Sequence, residues 1–169
     1  MTLSRQSRRL SVLTALGILS VSACSDMQSP TRLIELAVSL QADAIKVPEA
    51  NIPIVIFVSR HDCIYCERLR EQVLYPMIRA GELENRIILR ELSLDPGFSV
   101  EDFHGNIVDG KNFADRYDAS ITPTLLFLDE AGLCLSDPLV GTGNIEFYRF
   151  YLNRKIEEAT QVLAAASVH

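Results

Sequence analysis

Five consecutive residues, Ile54-Val55-Ile56-Phe57-Val58, offer no polar side chain to either face of a strand. An alternating strand can leave one face in water. A run without alternation has to be covered on both faces, which points to a central strand of a layered α/β sheet. Ser59 to Asp62 then turn the chain. From Cys63 to Ala80 the apolar residues Ile64, Leu69, Val73, Leu74 and Met77, with charges between them, predict an amphipathic helix that Gly81 ends. Pro76 lies inside that pattern and predicts a kink or restart near Tyr75, because it removes one ladder donor and crowds the preceding turn. Arg86 to Leu94 is a second apolar strand, stopped by Asp95-Pro96-Gly97, so a β-α-β unit results.

The flanking segments are compatible with the same architecture. From Thr31 to Val47 the residues Leu33, Ile34, Ala37, Leu40, Ala44 and Ile45 recur at helical spacing, although Leu36 to Leu40 also reads as a strand. Pro48 and Pro53 bracket a break before the central strand. Phe98 to Gly110 carries turn signals at His104-Gly105-Asn106 and Asp109-Gly110, which predict a small hairpin or ordered loop. Lys111 to Tyr117 reads as a short helix. Thr124 to Leu128, a turn at Asp129 to Gly132, and Leu133 to Leu135 predict an antiparallel hairpin. The last helix runs from about Ile145 to Leu163, with Tyr148, Leu152, Ile156, Ala159 and Leu163 on one face, and Tyr148 and Tyr151 are read as core or rim residues. Strand-helix-strand followed by strand-strand-helix is an α/β layout.

A chain of 169 residues with 48% hydrophobic content holds one core, which excludes a multidomain enzyme. The formal charge of -6 leaves no surplus of basic side chains for a phosphate backbone, so nucleic acid is not an expected partner. Residues 1–23 combine Arg5, Arg8 and Arg9, an apolar run from Leu10 to Val21 and small residues before Cys24, with no acidic side chain. That pattern is read as a secretory signal peptide. Its apolar run is shorter than the about 20 residues a membrane helix needs. Val21-Ser22-Ala23-Cys24 also resembles the bacterial lipobox, which implies lipidation of Cys24, while Val-Ser-Ala equally suits simple cleavage after Ala23. Residues 24–30 then read as the lipidated cysteine and a polar tether, and 31–169 as the folded domain. Loss of Arg5, Arg8 and Arg9 takes the charge from -6 to -9.

Four cysteines are present, and two of them, Cys63 and Cys66, sit three apart where the buried strand meets the helix. Unpaired N–H groups at a helix start favour negative charge, so the Cys63 thiol is expected to ionise readily and act as nucleophile. Cys66, one turn on, is placed to attack a mixed disulfide at Cys63 and release the substrate. Two other readings stand beside this one. Cys-x-x-Cys is half of a zinc site, which His61, His104 or Cys134 would have to complete, but a second Cys-x-x-Cys is missing. A structural disulfide across two intervening residues would barely restrict the unfolded chain and so would stabilise little. Cys134 reads as a small buried hydrophobe. Arg60, Arg68 and Arg70 read as surface charges. The His61-Asp62 pair reads either as a solvated loop or as a tuning element, an imidazolium favouring the thiolate and the carboxylate opposing it.

The strand Ile54 to Val58, Cys63-Ile64-Tyr65-Cys66 and the later Ile121-Thr122-Pro123-Thr124-Leu125-Leu126-Phe127-Leu128 together resemble the thioredoxin superfamily over roughly residues 40 to 165. The resemblance implies a thioredoxin-like fold: a central mixed β-sheet flanked by helices, with a cis-proline loop at Pro123 facing the Cys-x-x-Cys at a helix N-terminus. It further implies that the Thr122 backbone pairs with an extended substrate and that Pro123 shields the sulfurs from metal, so no metal and no cofactor are expected. Cys-Ile-Tyr-Cys, Tyr75-Pro76, the lipobox and the loop from Phe98 to Gly110 are similar to exported SoxW-like thioredoxins. Three departures from cytosolic thioredoxins stand out. Ile64-Tyr65 replaces Gly-Pro, Ser59 and Asp62 replace tryptophans, and Phe57 occupies the place of a buried aspartate. The proton role of that aspartate would fall to Glu67, His61 or water.

The expected function is that of an exported, lipid-anchored, monomeric thiol-disulfide oxidoreductase on the periplasmic side. It would reduce protein disulfides with electrons from an inner-membrane thiol donor. Cys63 and Cys66 are its catalytic residues, Thr122 and Pro123 its substrate-binding residues, and Ile64, Tyr65 and His61 tune the pair. The rivals are a binding module of the same fold, either metal carrier or adaptor, and a disulfide donor or isomerase.

Overall fold

The computed structural model describes residues 33–166. The segments read as a signal peptide (1–23) and as a lipidated Cys24 with its tether (24–30) lie outside the described residues. Five strands form one mixed sheet in the order β1-β3-β2-β6-β7. β1 (Glu35–Leu36), β2 (Ile54–Ser59) and β3 (Ile88–Ser93) run parallel, while β6 (Thr124–Leu128) and β7 (Leu139–Val140) are antiparallel to their neighbours. β2 is the central strand, and all of its residues are buried, as a run without alternation requires.

Its side chains divide between two cores by the two-residue period of a strand. Val55 and Phe57, with Leu125 and Phe127 of β6, pack against α3 (Ile64–Leu69) and α6 (Ile145–Ala166). Ile54, Ile56 and Val58 face the other way, towards α1 (Leu40–Ala44) and α5 (Gly110–Asp115). The buried stripe of α6 is Tyr148, Leu152, Ile156, Ala159 and Leu163, the five positions its periodicity marks, and Tyr151 is exposed.

Four departures from the sequence reading have local causes. The segment expected to be helical from Thr31 is a strand at Glu35–Leu36, and helix begins only at Leu40, capped by the Ser39 hydroxyl accepting from the Ala42 N–H. Residues three apart share a helix face but point to opposite faces of a strand, and here Ile34 joins one core while Ala37 joins the other. Pairing with β3, reinforced by Arg90 holding both Glu35 and the buried Asp43, decides it. Pro48 does not break the chain but lies in the first turn of α2 (Lys46–Ala50), where no ladder donor is missed, and Asn51 at φ 52° ends that helix. The restart expected near Tyr75 occurs, but by a route the sequence did not signal: the ladder widens into a π-helical turn at Arg70–Leu74, with the Tyr75 N–H donating to the Arg70 carbonyl, and α4 (Tyr75–Arg79) begins with Pro76 in its first turn. The strand expected at Leu133 to Leu135 is a single bridge, Leu128 to Cys134, and β6 takes Leu139–Val140 as its partner instead. Cys134 is exposed there, not a core residue.

The hairpin expected between Phe98 and Gly110 is present as β4 (Ser99–Glu101) and β5 (Ile107–Asp109). Gly110 starts α5 against β3, where a Cβ would stand 2.2 Å from the Ser93 carbonyl oxygen, so no other residue fits. Asp102 organises the hairpin. Its buried carboxylate accepts from the N–H groups of His104 and Asn106 and from the Arg116 guanidinium. Burial pushes its pKa up, but these donors outweigh that and hold it at about 2, below the ordinary 3.8. A depressed carboxylate stabilises the fold above its unfolded pKa and loses that contribution as pH falls through the folded one. Asp102→Asn is therefore expected to cost about 1–3 kcal/mol in urea unfolding at pH 7. The gap to the parent should close as pH drops from about 4 towards 2, and a gap that stays constant would contradict this assignment.

Candidate active site

The turn after β2 delivers Cys63 to the start of α3, and the backbone there is built for it. Cys63 is the N-cap, extended at φ -96° and ψ 97°, and its Sγ accepts from the Cys66 N–H at 3.1 Å. Its carbonyl accepts the first helical bonds from Cys66 and Glu67. Cys63 and Cys66 are joined as a disulfide with Cα atoms 5.2 Å apart. The two sulfur-bearing residues are not equivalent: Cys63 is half-buried and Cys66 is fully buried in the core beside Phe57 and Leu69. A visiting thiol or disulfide reaches the first and not the second.

The other predicted site residues cluster at the same end of the sheet. Val58, the last apolar residue of β2, pairs with Thr124, the first of β6, so the register sets Thr122 and Pro123 beside the turn that leads to Cys63. The Thr122–Pro123 peptide is cis. Pro123 is buried, and its carbonyl accepts from the Gly141 N–H at 2.7 Å. Thr122 is half-exposed, and among the described residues its backbone makes no hydrogen bond. Ile64 and Tyr65 project outward at 76% and 56% exposure, as does Ile121 at 61%, so an apolar surface surrounds the accessible sulfur. His61 is also exposed, and its backbone N–H donates to the Asp95 carboxylate, which pins the loop before Cys63 to the end of β3.

Among the described residues no three His, Cys, Asp or Glu side chains converge on a metal position. His104, drawn into the hairpin by Asp102, and Cys134, at the far turn of β6, are parts of other structures. Partial burial and the Asp129 carboxylate push the Cys134 thiol up, which leaves it a poor nucleophile at neutral pH.

Sequence reasoning missed one feature. Arg70 is not a surface charge but is 7% exposed, and Glu91 of β3 is 4% exposed. The Arg70 guanidinium donates to Glu91 and to the outlying Glu67, and the Ser59 hydroxyl donates to Glu91 at 2.6 Å. Register explains the meeting. Glu91 stands beside Phe57 in the parallel β2–β3 pair, on the face that α3 covers. A charged residue inside the apolar run Ile88 to Leu94 was the available signal, since a buried carboxylate requires a partner.

A mixed sheet with a Cys-x-x-Cys disulfide at a helix start and a cis-proline at the neighbouring strand end has the form of a thiol-disulfide oxidoreductase. A family model described as a thioredoxin-like domain matches residues 40–150, and the chain belongs to that family. Poplar thioredoxin h is similar in structure at 13% identity, over 69% of this chain and 94% of that one, with a TM-score of 0.47. The C-terminal domain of Neisseria meningitidis DsbD, in its oxidised form, is similar at 15% identity over 68% and 88% of the two chains, with a TM-score of 0.46. A thioredoxin-fold protein from Helicobacter pylori is 19% identical over 69% and 83%, with a TM-score of 0.39. No curated protein matches the sequence significantly.

Proposed function

We propose that this protein is an exported thiol-disulfide oxidoreductase that reduces disulfides in other proteins through Cys63 and Cys66. The observation that carries the reading is the unequal burial of the two bonded residues: an accessible Cys63 at the helix start and an enclosed Cys66 one turn behind it. In the reduced protein the Cys63 thiolate lies at the positive end of a helical segment, where the Cys66 N–H stabilises it. It attacks a substrate disulfide, forming a mixed disulfide and expelling one substrate thiolate, which takes up a proton. Cys66 then gives up its proton and attacks the Cys63 sulfur, so the second substrate thiol leaves and the internal bond closes. Two electrons have passed from the dithiol to the substrate.

The free Thr122 backbone and the apolar rim of Ile64, Tyr65 and Ile121 suit an extended, partly unfolded polypeptide as substrate. His61 holds the approach loop. The N-terminal pattern supports export and a lipid anchor at Cys24, with the protein a monomer on the periplasmic side and related in role to SoxW-like thioredoxins. A reductant there needs a thiol donor at the inner membrane to return it to the dithiol state. Among the described residues no helix is long and apolar enough to cross a membrane.

The test is interconversion. The protein is equilibrated with reduced and oxidised glutathione, quenched with an alkylating mass tag and weighed as peptides. Cys63 and Cys66 are expected to gain or lose their tags together as the glutathione ratio changes, with Cys134 tagged throughout. A Cys63–Cys66 bond that resists reduction at every ratio would overturn the reading.

A further inference from the structure

The buried ion pair behind the disulfide has no part in the steps just described, and its cost calls for an explanation. Two charges removed from water are commonly no more stable than an apolar pair of the same volume. Here they lie one helical turn from Cys66 and against the Phe57 ring that shares its cluster. Arg70 follows Cys66 by one helical turn, its N–H donating to the Cys66 carbonyl, and residues so spaced share a helix face with Cβ atoms about 6 Å apart. The guanidinium carbon stands 5.0 Å from the centroid of the Phe57 ring, and Phe57 packs in the same cluster as Cys66. Glu91 meets the guanidinium from β3, fixed by Ser59 from β2. The remaining groups around them are Glu67 on α3, the half-buried Tyr75 on α4, and Arg60, His61 and Asp95 at the mouth of an open cavity of about 480 Å³ that the ion pair lines.

We propose that Arg70 and Glu91 are positioning residues that set the reduction potential of the Cys63–Cys66 couple, Glu91 cancelling a guanidinium charge that would otherwise stabilise thiolate in the reduced pair. The inference rests on the exchange role proposed above. Reduction converts a neutral disulfide into a dithiol whose thiolate form gains from nearby positive charge. An unbalanced Arg70 therefore favours the reduced state, and an unbalanced Glu91 favours the disulfide. With both present the sulfurs face little net charge from this side. The π-helical turn at Arg70–Leu74 starts at the arginine itself, so the widened ladder and the buried cation belong to one local arrangement.

The experiment measures the equilibrium constant with glutathione for the whole protein and for four variants. Glu91→Gln keeps the shape but removes the balancing charge, and is expected to shift the equilibrium towards the dithiol about tenfold, or about 30 mV for this two-electron couple. Arg70→Met is expected to shift it the opposite way by a similar factor. The paired change Arg70→Met with Glu91→Leu removes both charges and should return to within about threefold of the parent. Glu67→Gln tests the same charge at an exposed position, where folding is not at risk, and should shift the equilibrium in the direction of Glu91→Gln by a smaller factor. A merely structural role would lower stability in the buried variants without reversing the sign. Shifts of the same sign in the two single variants, or no shift in Glu67→Gln, would overturn the proposal while the exchange role stands. A parent protein that never exchanges with glutathione would overturn both.

Discussion

Cys63→Ser is expected to bring the reduction of insulin disulfides down to the rate of the chemical reductant alone, because it removes the only sulfur of the pair that a substrate can reach. Cys66→Ser fails differently. Its Cys63 still attacks, but nothing resolves the product, so substrate accumulates as a covalent adduct at Cys63 visible by mass under non-reducing conditions. The difference follows from burial, with Cys66 enclosed between Phe57 and Leu69 while Cys63 borders the apolar rim. Were Cys66 the attacking residue, the two phenotypes would be exchanged. Loss of turnover without an adduct in Cys66→Ser would contradict the assigned order of attack. The Cys63→Ser variant would retain the capping geometry, since a hydroxyl accepts the Cys66 N–H as well as sulfur does, so stability should change little beside the loss of activity.

The second large effect concerns stability. Phe57→Ala should lower the free energy of unfolding by about 3–5 kcal/mol, as removal of a fully enclosed ring generally does. Set against a typical total of about 5–15 kcal/mol, that is enough to leave a substantial unfolded fraction at 37 °C if the parent lies at the low end. The ring is the meeting point of the layer. It fills the space between β2 and the helical segment, packs with Cys66 and receives the Arg70 guanidinium on its face. Urea unfolding followed by circular dichroism measures the change through the midpoint at an unaltered slope. A loss under about 1.5 kcal/mol would mean the surrounding side chains collapse into the space, contrary to the dense packing implied here.

The readable features were those carried by neighbours in the chain. The five-residue apolar run announces a central strand, and the five-position stripe of α6 is a periodicity of single residues. Cys63 and Cys66 lie within one turn of each other, so the helix joins them whatever the rest of the molecule does. The less readable features depended on segments that meet across the sheet. Ile34, Ala37 and Leu40 have helical spacing and only Leu36 to Leu40 also reads as a strand, until β3 offers Glu35 and Leu36 a ladder. Leu133 to Leu135 has the composition of a hairpin arm, yet β6 finds its partner farther on at Leu139, and Cys134 is left outside the core. Arg70 looks like any charge on an amphipathic helix, because what buries it is a carboxylate 21 positions away on another strand.

The chain's own order of residues was enough to establish a layered α/β domain and to put two sulfurs a helical turn apart, because strand alternation, helical spacing and a proline's missing N–H act over a few residues. The environment of those sulfurs was settled only when the chain folded. Which cysteine solvent reaches, which peptide edge stands open beside it, and which buried charges meet one helical turn behind it all follow from the register of β2 against β3 and β6. Register is chosen by the packing of every layer at once, so no single segment can declare it.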